Sequence, residues 1–275
     1  MVGNLYLLVT FVTVLGAIVQ LTEAVDFSYD NQAEWPTFEG SSCGGNRQSP
    51  INVDTDEVEE DDDLITLKFR KFGESVSGIV ENNGNSIEFI PNTKNAKFIN
   101  HRGTYVVQQF HFHWGEEAGE GSEHRINGNQ FDAEIHIVTL KQGADPSDTA
   151  GDTFSVIAVF GNQDDNLPIS GIWSKIPVPQ TFEQEIPASG IRYSELLPSN
   201  RDYYYYEGSL TMPLCNETVQ WFLLKHPIDI PGEFLASLRE IEQNEEGDPL
   251  TFNFRDAQAL NDREVLTPEG NDDDK

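Results

Sequence analysis

The run Gln109-Phe110-His111-Phe112-His113-Trp114-Gly115 alternates polar and aromatic side chains with period two, the pattern of a β-strand with two unlike faces. Gln109, His111 and His113 share one face, and Phe110, Phe112 and Trp114 share the other. Two imidazoles at i and i+2 on one face can reach a common point, as metal ligands must. A second strand-like run, Glu134-Ile135-His136-Ile137-Val138, offers a third histidine with a carboxylate two residues before it. Three histidines leave a tetrahedral zinc one open position, the arrangement of catalytic rather than structural sites. The residues alone therefore point to a His₃ zinc hydrolase or hydratase.

Charge narrows the partners. The 275-residue chain carries a formal net charge of -30, which argues against a nucleic-acid partner. Its 37% hydrophobic content, with 17 Phe, still supports a packed core. Most of the acid reads as solvated surface. Calcium or mineral contact is the sharper alternative, because carboxylates bind calcium only in particular geometries.

The apolar run from Leu5 to Leu21, closed by Thr22-Glu23-Ala24, reads as a secretory signal over 1–24, although its first residues lack Lys or Arg. A signal anchor is the competing reading, but the run is marginal in length for a bilayer. No second apolar stretch follows, so no membrane span is expected in the mature chain. In a secreted protein, Cys43 and Cys215 read as one long-range disulfide, contributing roughly 4–5 kcal/mol through chain entropy; two buried thiols remain the alternative. Asn216-Glu217-Thr218 is a possible N-glycosylation site at Asn216.

Taken in order, Phe27–Trp35 reads as an aromatic arm and Asp54–Asp63 as an exposed acidic loop. Strands are expected over Leu64–Phe69, Ser86–Phe89, Thr104–His113, Phe131–Leu140 and Phe154–Phe160. Helical signals are few: a turn at Ser194–Leu197, then Asn216–His226 before Pro227, and Gly232–Gln243. Many strands and no regular βαβ alternation predict a β-dominated α+β single domain over 25–265, with an acidic disordered tail over 266–275.

The Phe-His-Phe-His-Trp-Gly run, Ser122-Glu123-His124, and Glu134-Ile135-His136-Ile137-Val138 together resemble the α-class carbonic anhydrases. Gly44-Gly45, Gln48-Ser49-Pro50-Ile51-Asn52, Gly208-Ser209-Leu210-Thr211, Asn253-Phe254-Arg255 and Gln258 extend the match in family order from about Phe27 to Arg263. The resemblance implies a large, mostly antiparallel twisted central sheet with peripheral short helices. It implies that His111, His113 and His136 bind Zn2+, oriented by Gln109, Glu134 and the backbone of Asn253. It further implies CO₂ and bicarbonate as substrate and product. Thr211 would donate its proton to Glu123, which can only accept when ionised, and turn a lone pair toward the zinc-bound hydroxide. Val138, Val159, Leu210 and Trp221 match the family's apolar wall for CO₂; taken alone they would be ordinary core residues. Cys43 and Cys215 occupy the positions of the secreted members' disulfide.

Departures from the family pattern are equally informative. The usual proton-shuttle histidine after Asn-Asn-Gly is Asn85 here, which does not titrate near neutrality. Met212 stands where a polar residue is common, making the pocket mouth more apolar. The expectation is a secreted zinc enzyme that hydrates CO₂ without a histidine shuttle in its site. Two rivals are a silent carbonic-anhydrase-like binding protein, disfavoured by the intact ligand triad, and a catalytically weak acidic matrix or calcium-binding protein.

Overall fold

Alternating apolar residues build fourteen strands in the computed structural model, which describes residues 27–269. The expected signal segment, 1–24, and the acidic end, 270–275, lie outside the described residues. In chain order the strands are β1 (Asn52–Val53), β2 (Glu59–Asp61), β3 (Lys68–Arg70), β4 (Val76–Asn82), β5 (Ile87–Pro91), β6 (Lys97–Asn100) and β7 (Gly103–Trp114). They continue as β8 (Arg125–Ile126), β9 (Ala133–Lys141), β10 (Phe154–Asp164), β11 (Glu185–Ile191), β12 (Tyr203–Gly208), β13 (Val219–Pro231) and β14 (Leu266–Pro268). One α-helix, α1 (Gly232–Leu238), and 3₁₀ helices over Tyr29–Thr37 and Tyr193–Leu196 lie among them.

Twelve strands form one sheet in the order β11-β4-β5-β7-β9-β10-β13-β12-β14-β2, with β3 and β6 joined to β7 through β6. Its ladders are antiparallel except for β10–β13 and β14–β2. This is the expected β-dominated single domain with a mostly antiparallel sheet. Cross-strand neighbours share a face, so Val80, Phe89, Phe110, Ile137 and Ile157 form one buried row across β4, β5, β7, β9 and β10. Phe89 and Phe110 stack with centroids 5.1 Å apart. Each such phenylalanine removed from water is worth about 1.5–3 kcal/mol.

A bulge makes β7 work. Tyr105 and Val107 are odd-numbered, Phe110, Phe112 and Trp114 even-numbered, yet all five belong to the same core cluster. The register against β9 shifts between Val107 and Gln109, and the extra residue, Gln108, flips the phase. Without it, either Tyr105 and Val107 or the histidines would sit on the wrong face.

Three expectations are corrected. Asn216–His226 is not helical: Val219–Pro231 is an interior strand between β10 and β12. Its continuous apolar run is buried on both faces, Trp221 and Leu223 in one cluster and Phe222 and Leu224 in the other, and such runs carry no helical period. Pro227 falls where the β10–β13 register shifts between Leu224 and Ile228, a place that tolerates a residue without an N–H. The acidic stretch is not all loop, because Glu59–Asp61 pairs in parallel with Leu266–Pro268. That pairing also removes 266–268 from the expected tail: Leu266 packs on the core beside Tyr205, its ladder partner.

Cys43 and Cys215 are bonded, their Cα atoms 4.9 Å apart across 172 residues of chain. The bridge fastens the N-terminal segment to the loop that precedes β13. Replacing both cysteines (C43S/C215S) is expected to lower the unfolding free energy by about 2–5 kcal/mol. Urea denaturation measures it, and an unchanged midpoint would contradict the role.

Candidate metal centre

Strands β7 and β9 place the three histidines. His111 and His136 are direct cross-strand partners, and His113 lies two residues along β7 on the same face. Each ring has one nitrogen held by an acceptor. His111 Nδ1–H donates to Gln109 Oε1 at 2.9 Å, His113 Nδ1–H to the Asn253 carbonyl at 2.7 Å, and His136 Nε2–H to Glu134 Oε1 at 2.7 Å. Those bonds set the tautomers and turn the remaining nitrogens inward. His113 Nε2 lies 3.1 Å from both His111 Nε2 and His136 Nδ1. With their protons committed outward, these nitrogens face one another as lone pairs, which repel unless a cation sits between them. Tetrahedral zinc with bonds of 2.0–2.1 Å sets its nitrogens about 3.3 Å apart, so the donor set fits that ion.

Electrostatics favours the same state. Burial lowers all three imidazoles below their ordinary value, His113 to about 3, and neighbouring imidazoles push the same way, so the rings are neutral donors at neutral pH. Asn253 is itself clamped: its Oδ1 accepts from Trp114 N at 2.8 Å, and its Nδ2 donates to the carbonyls of Asn85 and Phe112.

Glu134 anchors a buried relay of hydrogen bonds. It accepts from the His136 ring, the His124 ring at 2.7 Å and the His124 backbone at 2.8 Å. Burial pushes its carboxyl up, but the two histidines and their N–H donors outweigh that and hold it well below the carboxylate range. The far nitrogen of His124 meets the Tyr206 hydroxyl, which in turn meets Ser49 Oγ, both at 2.7 Å. His124, Glu134 and His136 also lie close enough to ligate an ion, but their short contacts are proton-filled hydrogen bonds, so His124 holds Glu134 in place.

Glu123 is fully buried beside the triad. Its Oε1 accepts from Arg255 N at 2.9 Å, while Oε2 stands 3.5 Å from His113 Nε2 with no hydrogen-bond donor. Burial and the Glu134 charge push this carboxyl well above its ordinary value. The Thr211 hydroxyl pulls against them, although it stands outside hydrogen-bonding geometry with Oε2. A divalent ion among the imidazoles would favour the ionised form.

The apolar wall needs one substitution. Val138, Trp221 and Leu210 share a cluster, but Val159 points into the opposite core. Val156 takes its place, paired with Val138 on one side and Trp221 on the other. Strict alternation along β10 puts Val156, Ala158 and Phe160 on the wall face and Val159 behind it; an odd-residue slip accounts for the misplacement. Met212 is half-buried and packs with the cluster that holds Val159, not with Leu210. Asn85, half-buried, sits in the turn between β4 and β5, and Asn216 is exposed beside the bridged Cys215.

Sequence reasoning missed Glu88. It lies directly opposite His111 on β5, on the same face, only 6% exposed, with Oε1 unpartnered. The polar residue in Ser86-Ile87-Glu88-Phe89 had the right phase to reveal it. Burial, then repulsion from Glu81, raises its carboxyl to about 8 against the pull of Lys94. A raised folded-state value means stability that is full below the unfolded value near 4.5 and is lost as pH rises through about 8. In chelator-treated protein, Glu88→Gln should match wild type near pH 4.5 and exceed it by roughly 4 kcal/mol above pH 9. Chemical denaturation across that range checks the slope; parallel curves would refute the assignment.

Comparison with known proteins agrees with this geometry. Residues 30–269 match the family described as eukaryotic-type carbonic anhydrase. "Putative carbonic anhydrase 3" of Caenorhabditis elegans is 35% identical over 248 residues, covering 84% of this chain and 96% of that protein. "Carbonic anhydrase 6" of Canis lupus familiaris is 34% identical over 86% of this chain and 76% of its own. "Carbonic anhydrase 12" of Homo sapiens is 32% identical over 88% and 72%. This chain belongs to the eukaryotic-type carbonic anhydrase family.

Proposed function

We propose that the protein catalyses the reversible hydration of CO₂ to bicarbonate and a proton at a zinc ion held by His111, His113 and His136. The observation that carries this is the inward convergence of three proton-free imidazole nitrogens, each fixed by an outer acceptor. Zinc so held supplies a Lewis acid that brings the pKa of a water to about 7. The protein's residues do the rest. Val138, Val156, Leu210 and Trp221 form a dry wall that receives an apolar substrate. Glu123, ionised, would accept a hydrogen bond from the Thr211 hydroxyl, so that the Thr211 oxygen can only accept from the attacking water and aims it toward that wall. Gln109, Glu134 and the Asn253 carbonyl keep the imidazoles oriented. Asn85 carries no proton near neutrality, so the proton released in each turnover leaves without a histidine shuttle.

The Cys43–Cys215 bridge, the apolar N-terminal run and the Asn216 sequon support secretion, with Asn216 as a glycan acceptor. No helix among the described residues is long and apolar enough to cross a membrane.

Stopped-flow CO₂ hydration with metal analysis tests the reading. One zinc per chain is expected, His111→Ala should lose zinc and at least 100-fold in rate, and wild-type turnover should rise with imidazole-type buffer. A fast rate indifferent to buffer would defeat the missing-shuttle part, and full activity in His111→Ala would defeat the site. A second reading, calcium or mineral contact by an acidic matrix protein, draws on Asp61, Asp62 and Asp63, whose oxygens lie within 4.8 Å of one another. Calorimetry with calcium should then show heat that disappears on replacing all three by Asn; equal heats would dismiss it.

A further inference from the structure

One row of directly opposed residues runs from the edge of the sheet into the metal centre. Glu185 on β11 faces Glu81 on β4, Glu81 faces Glu88 on β5, Glu88 faces His111 on β7, and His111 faces His136 on β9. Directly opposed residues share a face, so three carboxylates lead along one surface to the histidines. Burial deepens along the way: Glu185 is exposed, Glu81 half-buried, and Glu88 buried.

Two directly opposed carboxyl pairs in succession are unfavourable in a sheet when both members ionise, and ordinarily a Lys or Arg would relieve them. None does here. The ion pairs among the described residues leave all three carboxylates out. Lys94 acts on Glu88 from a distance, but its Nζ donates to Gln108 Oε1 at 2.7 Å. Glu88 Oε1, buried at the inner end, has no partner at all. The row thus lines up carboxyl groups without cationic partners along one surface, and its innermost oxygen can accept an N–H whether or not the carboxyl is ionised.

We propose that this strip binds the conjugate acid of a small diffusible nitrogen base, of the imidazole or amine class, which carries away the proton that Asn85 cannot. This rests on the hydration reading above. The step balances: CO₂ and water give bicarbonate and a proton, the neutral base takes that proton on its nitrogen lone pair, and the resulting monocation departs along Glu88, Glu81 and Glu185. The arrangement selects among proton carriers. A base that becomes a cation is held by the strip as it leaves, whereas an anionic carrier such as phosphate is repelled at the mouth.

Two measurements on the zinc-loaded protein test it, using 1,2-dimethylimidazole as the cationic carrier and phosphate as the anionic one. Glu81→Gln/Glu185→Gln removes charge far from the ligands and relieves repulsion, so the variant should fold. Its buffer-dependent hydration rate with 1,2-dimethylimidazole should fall three- to ten-fold, while the phosphate-dependent rate holds or rises. In amide NMR titrations below pH 7, 1,2-dimethylimidazolium should shift resonances at residues 81, 88 and 185 in wild type but not in the variant. Equal carrier preference in the two proteins, or shifts confined to other surfaces, would overturn the proposal. If no buffer supports hydration, the hydration reading has failed, and the titration still decides the strip: shifts along the row keep it as a cation site, and their absence removes it.

Discussion

A fully buried carboxylate, Glu134, is the point on which the site depends. It is shut off from bulk solvent, and it stays ionised because two histidine rings and one backbone N–H donate hydrogen bonds to it. Take away those donors and burial would neutralise it; then His136 would lose the acceptor that fixes its tautomer. The same bonds tie β9 to the segment carrying Glu123 and His124, and through Tyr206 and Ser49 to the Ser209 turn ahead of Thr211. A single polar chain therefore positions the His136 imidazole, the Glu123 carboxylate and the threonine loop together. Such a network is strong because both Glu134 oxygens are satisfied, and each bond polarises the next in a low-dielectric interior.

What the sequence made legible was local and periodic. The alternation at Gln109–Trp114 and Glu134–Val138 assigned faces correctly because strand side chains alternate with period two, whatever surrounds them. Asn253 was harder: it reaches His113 through a backbone carbonyl 140 residues away, and no side-chain pattern announces that. Only the family resemblance supplied it.

Elsewhere tertiary burial overrode local signals. Val219–Pro231 is apolar on both faces because it lies inside the sheet, so its sequence shows no alternation to read. Val159 was misplaced because β10 has apolar residues at consecutive positions, and composition cannot say which of them faces the wall. Glu88 lay in an apparently ordinary strand, and its meaning appeared only when β5 was set against β7. The Gln108 bulge likewise exists only as a mismatch between two strands. Register is a property of pairs, and a single strand does not contain it.

The two ends of the large sheet share a character that bears on life in a crowded solution. One end is β2, which offers Glu59, Glu60 and Asp61, and the other is β11, which opens with exposed Glu185. Unpaired strand edges invite hydrogen bonding with the edge of another molecule, and charges of one sign on β2 and β11 oppose the pairing of these two edges between copies, whereas the third edge, β3, carries exposed Lys68 and Arg70. The acid is thus placed at the two ends of the long strand order, where it opposes growth of the sheet by end-to-end addition of like copies.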